Sequence, residues 1–136
     1  MLNTDSITIR LAEIELQLNY LSLYQAMAYE EFKRLPKNFG GATRFIQLIA
    51  KYAIEIASQI ALELNLRWKE YRDLFAMLKE NHILTKELYL NLVELSEFYL
   101  PATLMQKNIK DVYEMTKKIN ELIKNFSSQI ITWSKK

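Results

Sequence analysis

The chain has 136 residues, enough for one domain with a continuous core; half of them are apolar and a quarter are charged. It contains no cysteine, which excludes disulfides, thiolate metal sites and cysteine nucleophiles. The net charge of +2 is too small to indicate nucleic acid or an anionic membrane by itself. The chain has only two glycines and two prolines, the residues that tight turns most often need, so the composition favours a few long elements over an all-β fold.

The N-terminus and the most apolar region determine the expected location. The first six residues lack the basic start and the apolar stretch of a secretory signal. The most apolar region, 45–66, is interrupted by Lys51, Glu55 and Glu63, so we do not expect it to span a membrane. We therefore expect a cytoplasmic protein.

The first predicted helix carries apolar residues on two faces. It begins near Asp5 or Ser6 and ends before Pro36, which makes it about 28 residues and roughly 40 Å long. Two apolar faces indicate neighbours on two sides, or one face that serves a partner chain. The first face consists of Ile7, Leu11, Ile14, Leu18 and Leu21, and the second of Ile9, Leu16, Tyr20, Leu23 and Met27.

A loop, a central helix and a shorter helix are predicted next. Residues 36–41, with their proline and two glycines, are expected to form a loop. The following helix carries isoleucines and alanines at helical spacing, which predicts the most buried helix, and Asn65 is expected to end it. A short amphipathic helix from Trp68 to Lys79 then leads into a turn at 80–82.

Caps and a proline delimit the last two predicted helices. Thr85 can cap a helix that cannot continue across Leu100, because Pro101 lacks an N–H and restricts the residue before it. Asn108 and Asp111 resemble a capping box that opens the final helix. The sequence therefore predicts an all-α fold, a single domain over residues 1–136, as an up-and-down bundle of four principal helices plus a short one.

The chain lacks the residues of a complete catalytic or metal site. His82 is the only histidine, and a general base needs a positioned partner. A di-metal bundle needs Glu-x-x-His pairs, whereas Lys79 stands three residues before His82. No glycine-rich phosphate loop is present. We therefore expect neither a metal ion nor a cofactor.

Tyrosines and lysines leave a nucleic-acid interpretation open. Base stacking needs exposed rings beside a basic track, whereas tyrosines such as Tyr71 and Tyr99 lie on or beside apolar stripes, which favours packing in the core. Lys107 and Lys110 begin a mild basic strip after Pro101. A solvated face explains this strip, and a weak contact with RNA phosphates is the alternative.

Three segments carry a resemblance to a known family: FIQLIAKYAIEIASQI at 45–60, LRWKEYRDLF at 66–75 and KDVYE at 110–114. With the order of the helices, they resemble the HepT-like branch of the HEPN proteins, helical toxins of toxin–antitoxin pairs. The resemblance runs from about Ile9 to Ile131. It implies a homodimer and a nucleotidyltransferase-type antitoxin as partner. Relatives with an intact motif are metal-independent ribonucleases whose two motifs face each other across a cleft.

The catalytic motif of that family is changed in this chain. The motif is an Arg, four residues, a His, one residue and a Tyr; aligned on the flanking helices, these positions fall on Ser96, Pro101 and Thr103. None of the three supplies a cation or a proton-transfer group. Glu97 adds a negative charge where a phosphate should bind, and Tyr99 is the one candidate to replace the tyrosine that the antitoxin modifies. The resemblance therefore implies a degenerate ribonuclease.

Three functions remain open from the sequence. The first is a catalytically inactive HepT-like protein that binds a second copy of itself and a nucleotidyltransferase-type partner. The second is a metal-independent ribonuclease toxin that uses altered residues. The third is a helical adaptor or ligand-binding bundle unrelated to the family.

Overall fold

The computed structural model describes residues 4–136, and every regular element in that range is an α-helix. The all-α bundle predicted from the apolar periodicity is confirmed. The four principal helices and the shorter one are present, together with two single helical turns. In chain order the helices are α1 (Thr4–Gln25), α2 (Tyr29–Phe32), α3 (Pro36–Glu63), α4 (Tyr71–Glu80), α5 (Lys86–Ser96), α6 (Pro101–Leu104) and α7 (Ile109–Ser134).

The helix α3 lies at the centre of the bundle, as its composition predicts. It packs against α1, α4, α5 and α7. Its alanines at positions 50, 53, 57 and 61 are all buried, and their small side chains let neighbouring helices approach closely. Among the described residues, α3 is the one helix long and apolar enough to span a membrane, yet half of its most apolar window is buried inside the bundle. We therefore describe α3 as the core helix of the bundle.

The prediction of one long first helix was wrong. The helix α1 ends at Gln25, and α2 begins only at Tyr29. Side chains from α7 bind the carbonyl groups at this break: Lys117 Nζ donates to the Gln25 carbonyl at 2.6 Å, and Tyr113 Oη donates to the Met27 carbonyl at 2.9 Å. Because those carbonyls find partners outside the helix, the chain can turn here without leaving them unpaired.

The predicted loop at 36–41 was also wrong, because these residues form the first turns of α3. Pro36 stands at the start of the helix, where its missing N–H costs no hydrogen bond. Asn38 is buried, and its side-chain amide donates to the Phe32 carbonyl at 3.2 Å. Gly40 and Gly41 both lie within α3. The missing side chain of Gly41 leaves space for the Tyr24 ring of α1.

The predicted caps of the later helices are confirmed. The Thr85 hydroxyl accepts a hydrogen bond from the Leu88 N–H at 3.3 Å. Asn108 and Asp111 bind each other's backbone N–H groups at 2.8 and 3.0 Å, which is the expected capping box. No helix runs across Leu100, as predicted: α5 has already ended at Ser96, and Pro101 opens α6, where its missing N–H costs no hydrogen bond.

The start of α4 differs from the prediction. The helix begins at Tyr71, so Trp68 lies in the segment before it. The Glu70 N–H donates to the Asp73 carboxylate at 3.3 Å, and this contact with the first turn marks the start of the helix.

The two apolar faces of α1 have different environments. Ile7, Ile14 and Leu21 of the first face are buried in the core. On the second face, Met27 packs against the core from the turn after α1, whereas Ile9, Leu16, Tyr20 and Leu23 are exposed. The helix therefore does not bury both faces within its own bundle.

The two glycines of α3 provide a test of the packing between α1 and α3. A Cβ on Gly41 would lie 3.0 Å from Tyr24 Cζ and closer still to its hydroxyl, whereas a Cβ on Gly40 would meet nothing within 4 Å. We expect Gly41→Ala to lower the free energy of unfolding by about 1–2 kcal/mol through overpacking. Gly40→Ala should raise it by roughly 0.5–1 kcal/mol through helix propensity. Urea denaturation measures both; equal effects would contradict the close packing.

Candidate functional site

An open groove with a volume of about 470 Å³ contains Ser96 and Thr103, two of the three positions that the sequence analysis aligned with the family motif. We call it the motif groove. One wall is the segment that leads into α4 together with the first residues of α4, and the other is the end of α5 with α6. The lining residues are Trp68, Lys69, Glu70, Tyr71 and Arg72 on the first wall and Val93, Ser96, Glu97, Leu100 and Thr103 on the second.

The second wall takes its shape from the end of α5. After Ser96 the backbone forms a turn of the 3₁₀ type. The Phe98 N–H donates to the Leu95 carbonyl and the Tyr99 N–H to the Ser96 carbonyl, each at 3.0 Å. Pro101 then opens the single turn of α6. Ser96 and Thr103 thereby come to line one groove, while Pro101, between them in the chain, is exposed and is not part of its lining.

The two hydroxyl groups at motif positions are bound to the backbone. Ser96 is buried, and its Oγ donates to the Val93 carbonyl at 2.6 Å. The Thr103 hydroxyl donates to the Glu97 carbonyl at 2.6 Å. Both hydroxyl protons are therefore in hydrogen bonds that stabilise the chain end of α5, and neither side chain offers a cation to a phosphate.

Glu97 and Lys107 form an ion pair beside the groove. Lys107 Nζ lies 2.7 Å from Glu97 Oε1 and 5.0 Å from the centre of the Phe98 ring. The negative charge that the sequence places at Glu97 is thus balanced by a lysine proposed as an RNA contact. Lys110, the other lysine proposed for that role, is exposed and lies 4.0 Å from the Glu114 carboxylate.

The other wall brings cations and aromatic rings that the sequence alone does not assign to the site. Lys69 and Arg72 both line the motif groove. Between them, the Tyr71 ring lies 5.7 Å from that of Trp68 and 5.9 Å from that of Tyr99. Sequence reasoning missed these residues because only the packing of α4 on α5 places them opposite Ser96.

Burial alters the acid–base behaviour of Tyr71. Removal from water disfavours the tyrosinate and raises the pKa of Tyr71 above its ordinary value of 10.0, and the nearby Tyr99 raises it further. Tyr71 therefore stays protonated across the physiological range and can donate a hydrogen bond into the groove.

The only histidine of the chain lies elsewhere. His82 adopts a left-handed backbone conformation with φ of 62° in the turn after α4. It lines a separate cleft with Gln129 and Trp133 of α7. Arg67 lines yet another cleft with Asp73 and Met77, so it does not converge with His82. The groove consequently has no imidazole, the side chain whose ordinary pKa suits proton transfer near neutrality.

The chemistry of the groove is that of a binding surface with mixed charge. Lys69 and Arg72 can attract an anionic group, while Glu70 and the paired Glu97 limit the net positive charge. Within residues 4–136 no group of three or more His, Asp or Glu side chains is arranged to hold a metal ion.

Comparison with known proteins assigns the family. The chain matches the family described as Ribonuclease HepT-like over residues 13–98, which is more than half its length. This chain therefore belongs to the HepT-like family. The interpretation as a bundle unrelated to that family was wrong. The match includes Ser96 but ends before Pro101 and Thr103.

Two solved structures have the same fold. A chain from a crystal structure of a toxin-antitoxin with AMP-PNP superposes with a TM-score of 0.79 at 18% identity, covering 97% of this chain and 99% of the other. YutE, a cytosolic protein of unknown function from Bacillus subtilis, superposes with a TM-score of 0.77 at 15% identity, covering 97% and 90%. No curated protein matches the sequence. These likenesses show a shared helical bundle.

The protonation of Tyr71 can be measured directly. Titration of labelled tyrosine by NMR should give Tyr71 a midpoint above 10, and Tyr99→Phe should move that midpoint down toward 10. Because the folded chain keeps this proton longer than the unfolded chain, the stability that Tyr71 contributes is present below pH 10 and is lost as the pH rises further. A midpoint at or below 10 would contradict the burial of this hydroxyl.

Proposed function

We propose that this chain is a catalytically inactive HepT-like protein of a toxin–antitoxin-type system, and that it acts by association. One observation carries this proposal. The hydroxyls of Ser96 and Thr103 are bound to backbone carbonyls in the motif groove, and His82 lies in a different cleft. General acid–base catalysis contributes roughly 10²- to 10⁴-fold to a reaction rate, and the groove lacks the histidine that would supply it.

The partners of this association are a second copy of the chain and a nucleotidyltransferase-type protein. Family membership and the toxin-antitoxin neighbour support a role in such a system. The exposed apolar face of α1 supports self-association. The neighbour YutE is a cytosolic protein, which supports the same location here. Residues 1–136 would act as one domain, and a single core cluster that extends from Ile7 to Ile130 supports this view.

A ribonuclease with altered residues is the second candidate, and the first wall of the groove favours it. Lys69 and Arg72 could hold a phosphate, and the Tyr71 hydroxyl could donate a proton to a leaving oxygen, although its raised pKa makes it a weaker acid than an ordinary tyrosine. The missing part is a base to accept the proton of the attacking hydroxyl. Glu97 is the carboxylate beside Thr103, and it is engaged by Lys107.

An RNA-cleavage assay separates the two candidates. We expect the purified chain, with a chelator present, to cleave RNA no faster than the double variant Tyr71→Phe with Arg72→Ala, because both lack a competent acid–base pair. The matched control is Lys37→Ala, which changes an exposed lysine that neither lines the motif groove nor belongs to the basic strip after Pro101. Metal-independent cleavage that the double variant abolishes and Lys37→Ala preserves would establish the ribonuclease instead. Cleavage unchanged in all variants indicates a contaminating enzyme.

The partner assignment needs its own measurement. A nucleotidyltransferase-type protein from the same genome should form a complex with the purified chain at micromolar concentrations in analytical ultracentrifugation. With ATP present, no mass increase of the chain is expected at Ser96 or Thr103, whereas modification of Tyr99 would identify it as the replacement for the tyrosine of the motif. Absence of any complex with each such protein of that genome would contradict this part of the proposal.

A further inference from the structure

A short segment between two extended residues borders the motif groove. The segment runs from Pro101 to Lys107 and includes the single turn of α6, and we call it the strap. The residue before the strap, Leu100, and the residue after it, Asn108, both have extended backbones, with ψ of 130° and 179°. A segment that is joined to its neighbours through one such residue at each end can move as a unit when those two residues rotate.

The strap has little apolar contact with the bundle. None of the four residues of α6 is buried, and within residues 4–136 this helix takes part in none of the main contacts between helices. Leu104 is the apolar residue of the strap that packs against the core, and it does so only in part, whereas Met105 is 86% exposed. Segments with few buried contacts open locally at a lower free energy than the whole domain unfolds.

Both side-chain hydrogen bonds that join the strap to the end of α5 are accepted by Glu97. The Thr103 hydroxyl donates to the Glu97 backbone carbonyl at 2.6 Å, and Lys107 Nζ donates to Glu97 Oε1 at 2.7 Å. The backbone hydrogen bonds of the strap, by contrast, stay within residues 100–107. The polar attachment of the strap to α5 therefore depends on a single residue.

Glu97 lies on the rigid side of this attachment. It directly follows the last residue of α5 and stands between the buried Ser96 and the buried Phe98. Because those neighbours fix the end of α5 in the core, loss of the attachment moves the strap and leaves α5 in place.

The ion pair between Glu97 and Lys107 is better shielded than a pair at the open surface. The two side chains are 39% and 18% exposed, and the ammonium lies 5.0 Å from the centre of the Phe98 ring. The ion pair between Glu94 of α5 and Lys118 of α7 has side chains that are 44% and 43% exposed. Water and salt weaken an exposed pair more, so the Glu97–Lys107 pair contributes more to holding its segment.

We propose that the strap controls access to the motif groove, and that the ion pair between Glu97 and Lys107 keeps it closed. Thr103 of the strap and the adjoining Leu100 both line the groove. When the pair is broken, the strap rotates away about its two extended neighbours, and the groove widens beside the buried Ser96. This inference rests on the proposed function in treating the groove as a binding surface, and it names what regulates access to that surface.

Hydrogen exchange of the strap amides tests the role of the ion pair. The N–H groups at 104–106 donate to carbonyls at 100–103, so their exchange reports opening of the strap. Lys107→Met removes the ammonium but keeps an unbranched side chain over the Phe98 ring, and it should speed this exchange about 10-fold. The matched control is Lys118→Met, which breaks the exposed pair between α5 and α7 and should leave the strap amides unchanged.

Three results of the exchange measurement would overturn this role. Equal acceleration in the two lysine variants would show that the strap depends on Glu97 no more than on an exposed pair. Strap amides that exchange without protection in the wild-type chain would show that the strap is already open. Equal acceleration of the core amides of α3 in Lys107→Met would show that the whole bundle, and not the strap, has been loosened.

Thiol reactivity tests whether the strap controls the groove, and the chain has no native cysteine to interfere. Ser96 lines the groove and is 5% exposed, so the thiol of Ser96→Cys should react slowly with a soluble disulfide reagent. Addition of Lys107→Met should speed that reaction about 10-fold, because the same opening exposes the thiol. The matched probe is Thr116→Cys on α7: Thr116 is 1% exposed, and its hydroxyl also donates to a carbonyl three residues back, that of Tyr113. Its reaction should stay slow with or without Lys107→Met.

The outcomes distinguish this inference from the function on which it rests. Faster exchange of the strap without faster reaction at Ser96→Cys would overturn the control of the groove. Equal acceleration at Thr116→Cys would overturn it as well, because the opening would then not be local. All of these measurements use the chain alone, so their failure leaves the RNA-cleavage result and the complex with a nucleotidyltransferase-type protein unaffected. Failure of those two assays would in turn leave the strap measurements unchanged.

Discussion

The burial of α3 among four other helices is the constraint on which the rest of this molecule depends. Its alanines at 50, 53, 57 and 61 bring the backbones of α1, α4, α5 and α7 close to one axis. That packing places α4 beside α5 and so forms both walls of the motif groove. It also turns one face of α1 inward and leaves the opposite face in water. The motif groove and the exposed face of α1 are thus two consequences of the same core.

Contacts within the chain hold the motif groove in shape. The end of α5 and the single turn of α6 are held by local hydrogen bonds from Ser96 and Thr103 to backbone carbonyls. The ion pair between Glu97 and Lys107 and the contact of Lys107 with the Phe98 ring further stabilise this end of α5. The polar groups of Ser96 and Thr103 therefore stabilise the chain itself.

Prediction from the sequence succeeded where the cause is local. No helix crosses Leu100 because of the geometry of Pro101, and the caps at Thr85 and Asn108 act within three residues of their partners. It failed at the end of α1, where the carbonyls of Gln25 and Met27 bind Lys117 and Tyr113, about ninety residues away in the chain. It also failed at 36–41, where a proline and two glycines predict a loop but form the start of α3, with Pro36 in the first turn and Gly41 against Tyr24 of α1.

The sequence by itself determined the all-α class, the central helix, the later caps and the absence of a motif histidine, because periodicity, cap residues and composition are properties of the chain alone. Only the tertiary structure determined which side chains share a cleft. It set Lys69 and Arg72 across from Ser96, paired Glu97 with Lys107 and moved His82 to another cleft. It also decided which apolar face of α1 is buried, since each face has helical spacing and burial depends on where the neighbouring helices lie.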